Sequence, residues 1–505
     1  MSETGTVIVG GGLGATRLAE QLRRAEYAGP ITIVSDELHL PYDRPPLSKE
    51  VLRNPDIDVT LKPQAFYDEQ NITLRLGAAA TGVDVKAKTV ALSDGAALGY
   101  DDLIIATGVV PKRIPSFPEL DGIHVLRNYD EGAKLRAEAG SARRAVIVGA
   151  GFIGCEVAAS LRALGVEVVL VEPQAEPLAS VLGTQIGGLV SRLHRAEGVD
   201  VRTGTGVSGV TGQDRVAGVT LSDGTEVAAD LVVVGIGSRP ATDWLADSDI
   251  EVDNGIVCDN VGRTSAPHVW ALGDVASWRD ASGHQVRVEH WSNVAEQARV
   301  LVPALLGSDA PEAVVVPYFW SDQYDVKIQC LGEPEADDIV HLVEDDGRKF
   351  LAFYERDGMV VGVVGGGMPG KVMKVRAVEV MAVSASLGGV GELRSHRVFH
   401  PGDGRIELCA IRAKTFTQGV MVILRFIAGQ RGKNAGILYH RAEREFSIQT
   451  RRRLPVQADG DVVGWTPLEA RVAPNAVQVI VKPGWGAQID ARVRAQDEEG
   501  FPKWG

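Results

Sequence analysis

Two glycine-rich turns about 140 residues apart constrain this chain more than any other feature of it. One lies in Thr6-Val7-Ile8-Val9-Gly10-Gly11-Gly12-Leu13-Gly14-Ala15, the other in Ala145-Val146-Ile147-Val148-Gly149-Ala150-Gly151-Phe152-Ile153-Gly154. Each joins a short Val/Ile run, which reads as a buried parallel strand, to Gly-x-Gly-x-x-(Ala/Gly) and then to an amphipathic helical pattern. The first glycine, Gly10 or Gly149, allows the tight strand-to-helix turn. The second, Gly12 or Gly151, lets backbone approach a pyrophosphate, and the third small residue, Ala15 or Gly154, lets helix pack on strand. Unpaired N–H groups and a partial positive charge at the helix start then face the phosphates. One such motif is weak evidence. Two in one chain point to two dinucleotides, most simply a flavin and a nicotinamide, held for electron transfer.

A length of 505 residues accommodates three or four domains. No charged-then-apolar leader precedes the first strand, so no secretory signal is expected. No apolar run approaches the ~20 residues of a membrane span. The four cysteines, Cys155, Cys258, Cys330 and Cys409, lack C-x-x-C or metal-ligand spacing, which predicts no metal site and reduced thiols in the cytoplasm. The formal net charge is −14, yet residues 391–505 hold 18 Lys and Arg against 12 Asp and Glu. The remainder is therefore strongly acidic, which argues against nucleic acid as a ligand.

The strand-and-helix pattern gives an α/β chain with two Rossmann-like domains, followed by an α+β domain and an extension without assignment. The first dinucleotide domain is expected at 1–108 and 242–315, the second at 109–241, a C-terminal domain at 316–390 and the extension at 391–505. In the third part, strands are expected at Lys349–Tyr354 and Met359–Val364, with a helix near 369–385. In the extension, Met421–Ala428, Val477–Val481 and Gln488–Val493 look strand-like, which fits either a small β-rich domain or a segment with no core. Asp36 follows the strand Ile31–Val34, and Glu172 follows Val168–Val171. A carboxylate there accepts hydrogen bonds from ribose hydroxyls and repels a 2′-phosphate, and no Arg or Lys follows Glu172 closely, so NADH is favoured over NADPH.

The order of the motifs resembles a known family. It rests on the two glycine turns, Pro41-Tyr42-Asp43-Arg44-Pro45-Pro46-Leu47-Ser48-Lys49, Ala106-Thr107-Gly108, Ala271–Asp274 and Tyr318-Phe319-Trp320. The chain is similar, over about residues 5–390, to the FAD-dependent, NADH-consuming ferredoxin reductases of Rieske dioxygenase and bacterial cytochrome P450 systems. The resemblance implies a glutathione-reductase-like fold and FAD on the first domain, with Gly10, Gly12, Leu13, Gly14 and Ala15 at its pyrophosphate and Asp36 at its ribose. It further implies Arg44, Pro45, Lys49, Thr81, Thr107, Gly108, Arg127, Asp274 and Trp291 around that cofactor. NADH would lie on Gly149, Gly151, Phe152, Ile153, Gly154, Glu172, Gly235 and Gly237. Hydride would pass from nicotinamide C4 to flavin N5, and electrons would leave singly to a small [2Fe–2S] ferredoxin, or a rubredoxin-like carrier, serving an oxygenase. Lys49 is expected near N5 and paired with Glu156, with a surface ion pair as the bland alternative. Trp320 is expected at the flavin edge or simply in the core, and Asp274 at the ribityl chain or as a helix N-cap. The chain would act as a monomer or a homodimer.

The stretch Leu40–Lys49 contains no cysteine, so the Cys-x4-Cys redox pair of disulfide reductases with this architecture is missing. Two other readings stay open: a ferredoxin-independent NADH oxidase or quinone reductase, and an NADH-binding flavoprotein sensor of the apoptosis-inducing-factor type. The Gly365-Gly366-Gly367-Met368-Pro369-Gly370-Lys371 stretch and residues 391–505 depart from the family pattern.

Overall fold

The structure is a computed structural model; it describes residues 4–280, 282–309, 317–357, 359–372 and six strands between 406 and 471. Contacts divide the chain into Met1–Gly367 and Met368–Gly505.

In the first unit, Thr6–Val9 sits at the centre of a five-stranded parallel sheet. Ile31–Val34 and then Ile72–Arg75 flank it on one side, Asp102–Ile105 and then Val269–Ala271 on the other. Helices cover such sheets, so the strands bury both faces, and Ile8, Ile33, Leu103 and Ile104 are fully buried. Each such side chain contributes roughly 1.5–3 kcal/mol on leaving water. Arg144–Val148 centres a second parallel sheet, between Glu167–Glu172 with Asp200–Thr203 and Leu231–Val234 with Ile123–His124. Each sheet carries a three-stranded antiparallel meander, Ala80–Gly99 and Val207–Ala228. A ribbon of Val109–Pro111 against Ser238–Pro240 forms where the chain enters and leaves the second sheet.

Tyr318–Gln323 opens a five-stranded antiparallel sheet, in the spatial order 318–323, 326–332, 359–366, 350–356, 339–345. The strands expected at Lys349–Tyr354 and Met359–Val364 appear as Phe350–Arg356 and Met359–Gly366. Residues 369–372 begin a helix, and the rest of the helix expected near 369–385 lies outside the described residues. The second unit shows three two-stranded antiparallel sheets among its described residues. The strand-like runs at 421–428, 477–481 and 488–493 also fall outside the described residues. No described helix is long and apolar enough to cross a membrane.

Candidate active site

The two glycine turns take the geometry their spacing requires. Gly10 has φ +122°, and a Cβ there would stand 2.2 Å from the Ala106 carbonyl oxygen. Gly149 has φ +98°, and its Cβ would stand 2.4 Å from the Gly235 carbonyl oxygen. Both strand ends thus pass close against the neighbouring strand, where only glycine fits. A Cβ at Gly151 would meet nothing within 4 Å, and one at Gly12 only the Arg44 Nε at 4.0 Å. The helices Leu13–Arg24 and Phe152–Ala163 start there with no side-chain cap, so their first N–H groups remain for a ligand. Gly14 packs towards Ala106, and Ala15 is fully buried. Phe152 packs edge-on to Phe319 at 5.1 Å between ring centroids, while Ile153 is exposed.

Side chains crowd the first turn. Arg44 donates to Glu37 Oε1 at 2.7 Å, to the Tyr42 hydroxyl at 3.1 Å and to the Arg127 carbonyl at 2.8 Å. Arg127 reaches Asp274 Oδ2 at 3.3 Å and lies 2.9 Å from a Cβ built on Gly108, whose φ is +69°. Burial and the neighbouring Arg44 charge push the Arg127 guanidinium below its ordinary range. Thr107 donates to the Ala241 carbonyl at 2.9 Å, tying the first sheet to the returning chain. Asp274 sits inside the 3-10 turn Gly273–Val275 and turns to Arg127, so it is not the N-cap that was the alternative. His290 N-caps the helix Trp291–Leu305 by position; burial lowers its pKa, and its buried Nδ1 has no partner. A fixed cationic pair, free helix N–H groups and an orphaned ring nitrogen fit an anionic dinucleotide with a polar ring system.

The second turn is barer. Glu172 folds back to accept from the Ala150 N–H at 2.7 Å and the Gln174 N–H at 3.0 Å. Gly235 stacks on Gly154, and Gly237 (φ +91°) faces open space.

Lys49 and Glu156 join the two. Lys49 follows the Pro45–Ser48 turn; Glu156 lies on the helix Phe152–Ala163. Lys49 Nζ is 3.4 Å from Glu156 Oε1 and 3.4 Å from Asp322 Oδ2. Lys49 is 5% and Glu156 4% exposed, so the surface-pair alternative does not describe them. Burial pushes the Glu156 carboxyl up, opposed by Lys49. Ser48 donates to Glu156 Oε2 at 2.5 Å, and Ser321 Oγ and the Asp322 N–H donate to Oε1 at 2.9 and 3.2 Å.

Strand alternation sorts the Tyr318–Gln323 side chains: Phe319, Ser321 and Gln323 are buried, while Tyr318, Trp320 and Asp322 are half-buried on the other face. Trp320 stacks on Tyr318 and meets Trp291 edge-on, with centroids 6.0 Å apart. Trp291 donates to Asp43 at 2.8 Å. Trp320, Lys49, Asp322, Asp43, Pro45 and Pro46 line a cavity of about 500 Å³. Trp320 is thus at the rim of a site and not sealed in the core.

Two expected residues stand apart. Asp36 is exposed, and its neighbour Glu37 is the acid engaged by Arg44 and Tyr42. Thr81 is exposed on the meander strand Ala80–Asp84, with its side chain bonded to none of the others; alternation points it outward, and Ala80 packs on the core instead. The sequence reading missed Ser48, Ser321 and Asp322, although Ser48 sits beside Lys49 and the others follow Trp320 directly. Cys155 is fully buried with its thiol pushed up, so it is an inert core residue.

Paired parallel sheets, paired glycine turns and a buried ion pair between them define a two-dinucleotide oxidoreductase. The chain belongs to the pyridine nucleotide-disulphide oxidoreductase family, whose match covers residues 4–298; a reductase C-terminal domain matches 318–386. Its cofactors are FAD and a nicotinamide coenzyme. It is similar to the ferredoxin--NAD(+) reductase component of the p-cumate 2,3-dioxygenase system of Pseudomonas putida, 38% identical over 350 residues, 69% of this chain and 86% of that one. Rhodocoxin reductase of Rhodococcus erythropolis is 38% identical over 379 residues, 74% and 88% of the two chains. Among solved structures, the covalent putidaredoxin reductase–putidaredoxin complex superposes with a TM-score of 0.71 at 32% identity, over 74% of this chain and 92% of that one.

Proposed function

We propose that the chain carries electrons from NADH through FAD to a [2Fe–2S] ferredoxin that supplies an oxygenase or cytochrome P450. The observation that carries this is the buried Lys49–Glu156 contact, which ties the flavin-side loop to the helix of the nicotinamide-side turn. In this reading residues 1–108 and 242–315 hold FAD, 109–241 hold NADH and 316–390 present Trp320 toward the acceptor. Bound FAD supplies the conversion between accepting a hydride and giving up single electrons.

Arg44, Arg127 and the open backbone at Gly12 would hold the pyrophosphate of FAD, and Asp274 its ribityl chain. Lys49, dry and fixed, places positive charge where the reduced ring gathers negative charge, and a fixed charge in a dry site costs no reorganisation at the moment of transfer. Glu156 holds that amine in place and would bound the face offered to a nicotinamide, which is the positioning a ring-to-ring hydride transfer needs. Glu172 accepts from the adenosine ribose and rejects a 2′-phosphate. Buried free thiols at Cys155, Cys258 and Cys330 support a reducing, cytoplasmic setting.

Anaerobic addition of NADH to the yellow protein should bleach the flavin, and cytochrome c should be reduced only once a [2Fe–2S] ferredoxin is added. Equal turnover without ferredoxin would replace this reading with an NADH oxidase or quinone reductase.

A further inference from the structure

A buried hydrogen-bonded chain runs from Glu156 away from the ring site to a histidine with no part in the chemistry above. Ser321 Oγ lies 2.9 Å from Glu156 Oε1, Gln323 Nε2 lies 3.2 Å from Ser321 Oγ, and His194 Nε2 lies 3.0 Å from Gln323 Oε1. The Tyr324 hydroxyl closes the run, 2.8 Å from His194 Nδ1. Ser321, Gln323 and His194 are all 0% exposed, so no water competes for these groups. His194 sits near the C-terminal end of the helix Ala179–Ala196 and links it to the Tyr318–Gln323 strand through Gln323.

The partners fix the direction of every donor. An ionised Glu156 only accepts, so Ser321 spends its one proton on it and must accept in turn. Gln323 therefore aims its amide nitrogen at Ser321 and its carbonyl oxygen at His194. That oxygen needs a proton on His194 Nε2. Burial holds the imidazole neutral, its pKa lowered to about 4, which leaves Nδ1 as the acceptor of the Tyr324 hydroxyl. All four bonds then point toward Glu156, and aligned donors polarise one another in a dry interior. Reversing one reverses all, because no member has a second orientation that leaves its neighbours paired.

We propose that His194 is a positioning residue for hydride transfer: acting through Gln323 and Ser321, it imposes a one-way run of donors that keeps Glu156 ionised against Lys49. The proposal rests on the reading of the Lys49–Glu156 pair given above. It explains why a histidine with two good ring partners is sealed where no ligand reaches. Burial alone favours the neutral acid at Glu156, and the run supplies a donor that only the charged form needs.

Other charges face these groups. Lys49 and Asp322 stand beside Glu156, with the Cys155 thiol next to it on its helix. Glu197, Arg162, Arg348 and Cys155 act on Tyr324. All are unchanged in the test.

The test is an infrared pH titration of the holoprotein, with the Glu156 carboxyl band assigned by its loss in Glu156→Gln. His194→Phe removes the donor, and His194→Gln restores an N–H near Nε2. Glu156 should protonate about one pH unit higher in His194→Phe, a tenfold change in its ionisation constant, and return toward the parent value in His194→Gln. A merely structural role would not follow the donor in this way. An unchanged titration in a folded, fully flavinated His194→Phe overturns the proposal. If that variant does not fold, Gln323→Met breaks the same run, and the same two outcomes decide. The underlying pair reading fails separately, if Glu156→Gln transfers hydride at the parent rate; the infrared shift is read independently of that rate.

Discussion

The two dinucleotide units match strand for strand and differ in how they are furnished. In each, the glycine-turn strand is central, the next strand in sequence lies on one side, and a strand from the far end of the segment lies on the other. The fifth strand arrives late in the first unit, at Val269–Ala271, and early in the second, at Ile123–His124. Around the first turn, Arg44, Arg127 and Asp274 interlock. At the second, the nearest acid, Glu172, bonds to its own turn through the Ala150 N–H. On the proposed reading, the same backbone cradle serves two purposes. Side chains that are already paired and desolvated suit a cofactor that stays, and a bare cradle suits one that must leave each turnover.

The largest expected effect lies where the units meet. Lys49→Met removes the fixed charge from the flavin side and leaves both cradles intact. Hydride transfer, followed as flavin bleaching in stopped flow, should slow by roughly 100-fold or more, the scale of losing one preorganised donor. FAD content should be unchanged. A Lys49→Met protein that loses FAD and reduces normally when resupplied would make the lysine part of the flavin grip and not of the transfer.

Acid should separate the units next. His194, on a helix of the second, protonates near pH 4 when folded against 6.5 when unfolded. Between those values the unfolded chain binds the extra proton, so the contribution is complete above pH 6.5 and is lost as pH falls toward 4. The loss amounts to on the order of 3 kcal/mol. Hydrogen exchange should therefore show the helix Ala179–Ala196 opening before Leu13–Arg24 as pH drops from 7 to 4. Equal opening of both would mean that His194 does not govern the second unit.

Coenzyme choice is the third test, and it concerns the second unit alone. Glu172→Arg exchanges a repelling carboxylate for a cation near the 2′-position and also frees the Ala150 N–H. The ratio of kcat/KM for NADH to that for NADPH should fall at least tenfold, about 1.4 kcal/mol. A native preference for NADPH would refute the role given to Glu172.

How much of this could be read in the sequence follows from how local each signal is. The glycine turns are local motifs and need no knowledge of distant contacts, whereas Lys49, Asp274 and Glu156 come only with the family resemblance that the order of the motifs carries. Ser321, Gln323 and His194 were not legible, because their meaning depends on a strand and a helix more than 120 residues apart in sequence meeting in a dry interior. Asp36 and its neighbour Glu37 differ in a way the sequence does not show, because position after a strand end is visible and side-chain direction is not; the chain bends there, Glu37 turns inward to Arg44 and Asp36 stays exposed. Thr81 stands on the outward face of its strand while Ala80 packs inward, because one residue along a strand exchanges one face for the other.

The smallest effect tests the comparison most directly, because it asks the same question of both cradles. A methyl group at Gly151 meets no protein atom within 4 Å, and one at Gly12 only Arg44 Nε at 4.0 Å. Neither change should strain the free protein, so melting of the apoprotein should move little. Both place a carbon where a pyrophosphate must approach the backbone. Gly151→Ala should then raise KM for NADH about tenfold, roughly 1.4 kcal/mol, with FAD content intact. Gly12→Ala should instead shed FAD on dilution while leaving the affinity for nicotinamide alone. Identical losses of FAD in both variants would mean that the cradles are not independent, and the division between a resident and a visiting dinucleotide would fall. Separate losses would fix that division to the two glycines, since nothing else in either variant has changed.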